Sequence, residues 1–246
     1  MDALSVAAAS GIRSRIEALD LLANNLANAG SAGYKADRDL NGLYVGPDAV
    51  PADGVDTAAV LPVVNEAWID FTQGATNQTG QQTDFAITGK GFFAVQAPGG
   101  VLYTRNGSFG LSSSGRLQTR EGYAVLGRDG KPVQVDPLRS FEVDRQGVVR
   151  QDGRTLGELS VVDFDALDAL KKQGATYFRL AQDGIRGKTA KAEILQGRLE
   201  AANATSVESA VRMVSVMRGF EMLQRALSLA AEMNRKAVED VGSLRS

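Results

Sequence analysis

Apolar residues at both ends of this chain recur at helical spacing, while those between them sit in short runs cut by glycine. That change of period limits the fold more than any other feature. Near the N-terminus, Leu4, Ala8, Ile12, Leu19, Leu22, Leu26 and Ala29 keep the roughly 3.5-residue spacing of a helix seam. Ile16 and Ala23 widen this stripe, and Arg15 is the misfit on it. The spacing predicts one helix from about Ala3 to Ala29. Asn24, Asn25, Asn28, Gly30 and Gly33 tolerate turn or left-handed backbone, so the helix should end among them, with an extended segment from Tyr34. At the other end, Thr205-Ser206-Val207-Glu208 fits a capping box. Beyond it, Met213, Met217, Phe220, Leu223, Leu227, Ala230, Ala237 and Val241 hold the spacing for about 35 residues, or roughly 50 Å at 1.5 Å per residue.

The middle is different material. Of 27 glycines, 18 fall between Gly74 and Gly187, which makes this stretch turn-rich and non-helical. Short apolar or alternating runs there read as strands, among them Phe85 to Thr88, Phe92 to Gln96, Val101 to Arg105, Tyr123 to Leu126, Gly147 to Gln151 and Leu159 to Phe164. Turn pairs such as Asn106-Gly107, Asp129-Gly130 and Asp152-Gly153 favour antiparallel hairpins over crossovers. The expected fold is therefore a mainly β central domain, hairpin-rich and sheet- or barrel-like, carried between long N- and C-terminal α-helices that form a coiled-coil assembly region. Its expected divisions are an assembly helix over residues 1–30, an extended linker over 31–56, the β domain over 57–186, a connector over 187–204 and a second assembly helix over 205–246.

A β domain with its own core does not need those helices, yet their apolar stripes must be buried somewhere. Two helices packed as a hairpin cover only part of each stripe, so self-association is expected to cover the rest. Composition narrows the alternatives. The chain has no Cys and no His, which removes thiolate and imidazole chemistry and most transition-metal sites. A net charge of −2 provides no basic field for nucleic acid. Arg13, Arg15, Glu17 and Asp20 interrupt the apolar N-terminal run before it could span a bilayer, and the run follows Met1-Asp2 without a basic residue, so neither membrane insertion nor a cleaved signal peptide is expected.

Three patterns suggest chemistry and are weaker than they look. Gly89-Lys90-Gly91-Phe92-Phe93-Ala94 satisfies a dinucleotide-loop pattern but runs into strand residues where a helix is needed. Asp163, Asp165 and Asp168 are explained by a local turn as readily as by glycoside hydrolysis. Trp68, Phe92, Phe93 and Tyr103 read as core rather than as a stacking platform. No catalytic, cofactor or metal site is assigned.

Several strings carry a resemblance. They are NNLANAGSAGYKADR from Asn24 to Arg38, the blocks TDFAITGKGFFAVQ and YTRNGSFGLSSSGRLQTREGYAVLG between Thr83 and Gly127, and ILQGRLEAANATSV with MRGFEMLQRAL near the C-terminus. Together they resemble the bacterial flagellar rod and hook proteins, most closely the basal-body rod members. The resemblance implies a structural, non-enzymatic subunit of the basal-body rod, needing no cofactor, that self-assembles through its terminal helices into a hollow torque-transmitting shaft. A hook-type or other axial flagellar protein is the nearest alternative, and a secreted glycan-binding β protein a remote one. The implied partners are other copies of the chain, neighbouring rod and hook subunits, and the flagellar type III export apparatus. The implied location is the periplasm-spanning rod. Candidate packing residues are Ile12, Ile16, Leu19, Leu22 and Leu26 with Met213, Met217, Phe220, Leu223 and Leu227. Asn24, Asn25, Asn28, Gly33, Tyr34 and Lys35 match the family's signature stretch and are expected to serve structure or assembly.

Overall fold

A computed structural model describes residues 3–45, 60–181 and 187–243. The chain divides into two units. One gathers Met1–Leu26, Asp37–Trp68 and Ser206–Ser246, and the other Ala27–Ala36 and Ile69–Thr205.

The first unit holds both helices. The first, α1, runs from Ala3 to Ala27, includes Asn24 and Asn25, and stops just before Asn28 and Gly30. The second, α2, runs from Ser206 to Ser243, opening directly after Thr205. Glu208 in its first turn pairs with Arg212 at 3.1 Å and Arg38 at 3.8 Å, which places negative charge at the positive end of the helix dipole. The two helices approach each other where Arg15, the misfit on the α1 stripe, reaches over Gly219. A Cβ at position 219 would stand 3.5 Å from its guanidinium, an ordinary van der Waals contact. Part of the stretch expected to be an extended linker forms a strand, Asp37–Val45, paired with Val60–Ile69 in a two-stranded sheet.

The second unit is the mainly β part. Its largest sheet has nine strands, seven of them on a hydrogen-bonded path from Leu170–Gln173 through Tyr177–Leu180, Gly100–Thr104, Phe92–Ala97, Ala124–Val125 and Leu117–Gln118 to Gly110–Leu111; Val161–Asp163 joins it beside Phe92–Ala97, and Lys188–Thr189 pairs with Val161–Asp163. Among the described residues the two end strands of this path are not paired with each other. A three-stranded sheet contains the hairpin Val148–Gln151 and Arg154–Glu158, turned by Asp152-Gly153 with φ of 50° and 75°, as the turn chemistry of this pair requires. Two further pairs link late strands to early ones: Glu193–Gln196 with Phe85–Thr88, and Arg198–Glu200 with Thr76–Gln78, both antiparallel.

The strand Phe92–Ala97 is buried on both faces, because adjacent side chains point to opposite sides of a sheet. Phe93 and Val95 join a large cluster with Phe85, Ile87, Leu117, Val125 and Val149. Phe92 turns the other way, to Phe164, Leu170 and Phe178, meeting Phe178 and Phe71 edge-on at 5.6 and 5.5 Å between ring centres. Phe92 and Phe93 are core residues, as expected, and form no platform; Trp68, by contrast, is 44% exposed.

Candidate functional site

Among the described residues, the densest polar site is a buried cluster formed by three distant stretches of sequence. The turn after α1 ends at Gly33, whose φ of +66° directs the chain inward and whose N–H donates to the Glu200 carbonyl at 2.7 Å. There is no room for a side chain at this point. A Cβ would lie 2.2 Å from Asn106 N and 2.3 Å from Arg105 C, both backbone atoms. Two residues on, the Lys35 ammonium donates to Glu200 Oε1 and to the Thr72 carbonyl, each at 2.6 Å. Glu200 Oε1 also accepts from Gly74 N at 3.0 Å, and Oε2 accepts from Arg105 Nη1 at 3.2 Å. Arg105 Nη2 donates to the Gly89 carbonyl at 2.7 Å, and the guanidinium lies 5.3 Å above the Phe92 ring. Lys35 and Glu200 are fully buried and Arg105 is 5% exposed.

Removing these charges from water costs several kcal/mol per ion, and the cost is met only where pairing and hydrogen bonding are complete. Glu200 accepts from three donors, two of them cationic, so both of its oxygens are engaged inside the fold. Burial pushes the Lys35 ammonium below its ordinary value despite the opposing pull of Glu200, and it lowers the Arg105 guanidinium in the same way. Arg105 Nε is buried without a partner, the one such side-chain atom among the described residues. Around this core, Lys172 Nζ donates to the Lys35 carbonyl at 2.8 Å while lying 4.3 Å from the centre of the fully buried Tyr34 ring. Asn203 Oδ1 accepts from Ala36 N at 2.7 Å, and its Nδ2 donates to the Asp70 carbonyl at 2.6 Å.

Three of the signature residues, Gly33, Tyr34 and Lys35, therefore come together here. The other three have different tasks. Asn25 clasps the backbone of Asp37, accepting its N–H at 3.0 Å and donating to its carbonyl at 2.7 Å. Asn28 accepts from Ser31 N through its carbonyl at 2.9 Å and from Ser31 Oγ through its side chain at 3.4 Å, while Asn24 is exposed on α1. Glu200, Arg105 and Asn203 complete the cluster. They lie inside the strings that carry the resemblance, but neither spacing nor local pattern marks them. The available signal was the charge of Arg105 and Glu200 within short strand-like runs that otherwise alternate.

On α1, Ile12, Leu19, Leu22 and Leu26 are half-buried and Ile16 is exposed; on α2, Met213, Phe220, Leu223 and Leu227 are half-buried and Met217 is exposed. A second apolar stripe runs along α2. Val207, Val211, Val214, Met222, Leu229 and Met233 are all exposed. They fall within roughly 100° of the helix circumference, on the side opposite the half-buried residues.

The patterns that suggested chemistry are absorbed by the fold. Gly89 and Gly91 lead into a strand, and the Gly89 carbonyl is occupied by Arg105. Asp163 accepts from its neighbour's N–H at 2.9 Å, Asp165 pairs with Lys188, and Asp168 sits in a short 3-10 turn, Leu167–Ala169. Among the described residues no cluster of acidic side chains could hold a metal ion, and no helix is long and apolar enough to cross a membrane.

Comparison with known proteins agrees with this picture. Residues 86–151 match the family model of the flagellar hook protein FlgE/F/G D1 domain, and residues 195–239 match that of the flagellar basal body rod FlgEFG protein C-terminal region. The first covers the central strands and the second the last strands with most of α2. The chain is similar to the flagellar basal-body rod protein FlgF of Caulobacter vibrioides, with 34% identity across 92% of each chain. It is also similar to FlgG of Bacillus subtilis, with 27% identity over 93% of this chain and 95% of that one, and to FlgF of Salmonella typhimurium, with 29% identity over 87% and 88%. With this degree of likeness over nearly its whole length, the chain belongs to the flagellar basal-body rod proteins, a structural and not an enzymatic family.

Proposed function

We propose that this rod protein is completed only within the flagellar basal body, where its terminal helices pack with those of neighbouring subunits into the wall of a hollow, torque-transmitting shaft. The observation that carries this reading is the two-sided character of α2. One side is half-covered, and the opposite side presents Val207, Val211, Val214, Met222, Leu229 and Met233 to solvent. An exposed apolar stripe of this length along a helix marks an interaction surface. Contacts between unlike surfaces of successive subunits do not close on themselves, and they generate helical tubes. In such a wall, Ile12, Ile16, Leu19, Leu22 and Leu26 of α1 and Met213, Met217, Phe220, Leu223 and Leu227 of α2 form one coiled-coil seam, while the exposed stripe meets the next subunit. Rigidity then comes from many weak packing contacts added over long helices. The partners are further copies of the chain and other rod and hook subunits, and delivery is through the flagellar export apparatus.

The absence of native cysteine makes a direct test simple. Single cysteines at Val211 or Met222, each carrying a benzophenone maleimide, should photo-cross-link to an adjacent subunit on assembly into basal bodies, whereas the same label at Ser228, on the polar part of the helix, should not. Cross-linking at Ser228 but at neither stripe position would refute the proposed packing.

A further inference from the structure

Lys35, Arg105 and Glu200 are separated by up to 165 residues of sequence, yet none of them is satisfied without another. Among the described residues the only other hydrogen-bond acceptor of the Lys35 ammonium is the Thr72 carbonyl, and that of the Arg105 guanidinium is the Gly89 carbonyl. Other charges stand near: Asp70, whose Oδ1 accepts from Thr72 N at 3.0 Å, acts on Lys35, and Asp163 acts on Arg105. Glu200 is the carboxylate hydrogen-bonded to both cations, and its backbone carbonyl also holds Gly33 N. It arrives on the strand Arg198–Glu200, the last before α2. The large apolar cluster around Phe85, Phe93, Val95 and Val125 includes none of these residues.

We propose that Glu200 is a keystone for docking. Residues 28–36, which follow α1, settle onto the β unit only after the strand Arg198–Glu200 has closed on Thr76–Gln78. The ends of α1 and α2 are thereby coupled: the segment leaving the first helix is fixed only when the segment entering the second is in place. Without Glu200, docking would bury one ammonium and one guanidinium with carbonyls as their only hydrogen-bond partners, and the segment stays loose instead. The apolar core forms regardless, so the coupling is a local opening, separate from global unfolding.

Hydrogen exchange on the full chain tests this. Glu200→Gln preserves the shape of the side chain and removes its charge. Amides of residues 33–36 should exchange at least about 100-fold faster than in the unaltered protein, given the cost of an unpaired buried charge. Amides of Val95 and Val125 should keep their protection. The triple change Lys35→Met, Arg105→Met and Glu200→Leu removes the charges together and should restore slow exchange at 33–36. Unaltered exchange of these amides in Glu200→Gln would overturn the proposal. So would loss of protection throughout the β unit, or a triple variant as open as the single one.

Discussion

Substituting Gly33 by alanine should cost far more than its size suggests, and the structure contains its own controls. Two effects act at Gly33. Its φ of +66° is unfavourable for any residue with a Cβ, a penalty of roughly 1–2 kcal/mol. In addition, the new methyl would lie 2.2 Å from Asn106 N, 2.3 Å from Arg105 C and 2.5 Å from Arg105 O, and backbone atoms cannot rotate aside. Forcing such an opening adds about 1–3 kcal/mol, for a total of roughly 2–5 kcal/mol. Gly80 has the same backbone conformation, φ +73°, but a methyl added there would meet nothing within 4 Å, so Gly80→Ala should show the conformational penalty alone. Gly30 has neither constraint, and Gly30→Ala should be neutral or stabilising by up to about 1 kcal/mol. Urea titration followed by near-ultraviolet circular dichroism reports on the aromatic packing of the β unit. With a slope of about 2 kcal/mol per molar urea, the Gly33→Ala midpoint should fall by roughly 1 M or more. A Gly33→Ala loss no greater than that of Gly80→Ala would refute the close approach of the signature turn to the Arg105 backbone.

Other outcomes follow from the same contacts. Asn203→Ala strands the Ala36 N–H and the acceptors that Asn203 now serves, and should lower stability by about 1–3 kcal/mol in the same titration, whereas Asn77→Ala, at an exposed position, should change it by less than about 0.5 kcal/mol. Burial and the hydrogen bond to Glu121 both raise the Tyr177 hydroxyl above its usual 10.0, so the folded state keeps this proton longer than the unfolded state. The stabilisation is complete below about pH 10 and is lost as pH rises through the folded-state value, so melting temperature should fall more steeply above pH 10 in the unaltered protein than in Tyr177→Phe. Because isolated helices are marginal in water, the amides of α1 in dilute protein should exchange much faster than those of Val95 or Val125; equal protection would mean that α1 needs no neighbour.

Much of this architecture is legible in the sequence because it is locally encoded. The helical period of Leu19, Leu22 and Leu26, the capping residues before α2 and the turn pair Asp152-Gly153 each act over a few residues, and the corresponding elements appear where those signals place them. The ionic cluster is another matter. Lys35 attracts notice through the resemblance, but its partner is determined by a strand pairing 165 residues away, and no local pattern in the sequence encodes that register. The exposed stripe on α2 is hidden for a different reason. Arg218 and Arg225 fall at the same angular position as Val207 and Val214, so the stripe looks interrupted and the stronger periodicity of Phe220, Leu223 and Leu227 dominates. Long basic side chains lie along apolar surface without breaking it, which reconciles their presence with a packing face.

The most direct test of assembly through α2 is electron microscopy of basal bodies from cells whose sole copy of this chain carries Val211→Glu and Leu229→Glu. Both sites are more than half exposed, at 66% and 61%, so the isolated protein should fold and melt as before. Truncated rods and non-motile cells are expected; complete rods on motile cells would contradict assembly through this face of α2.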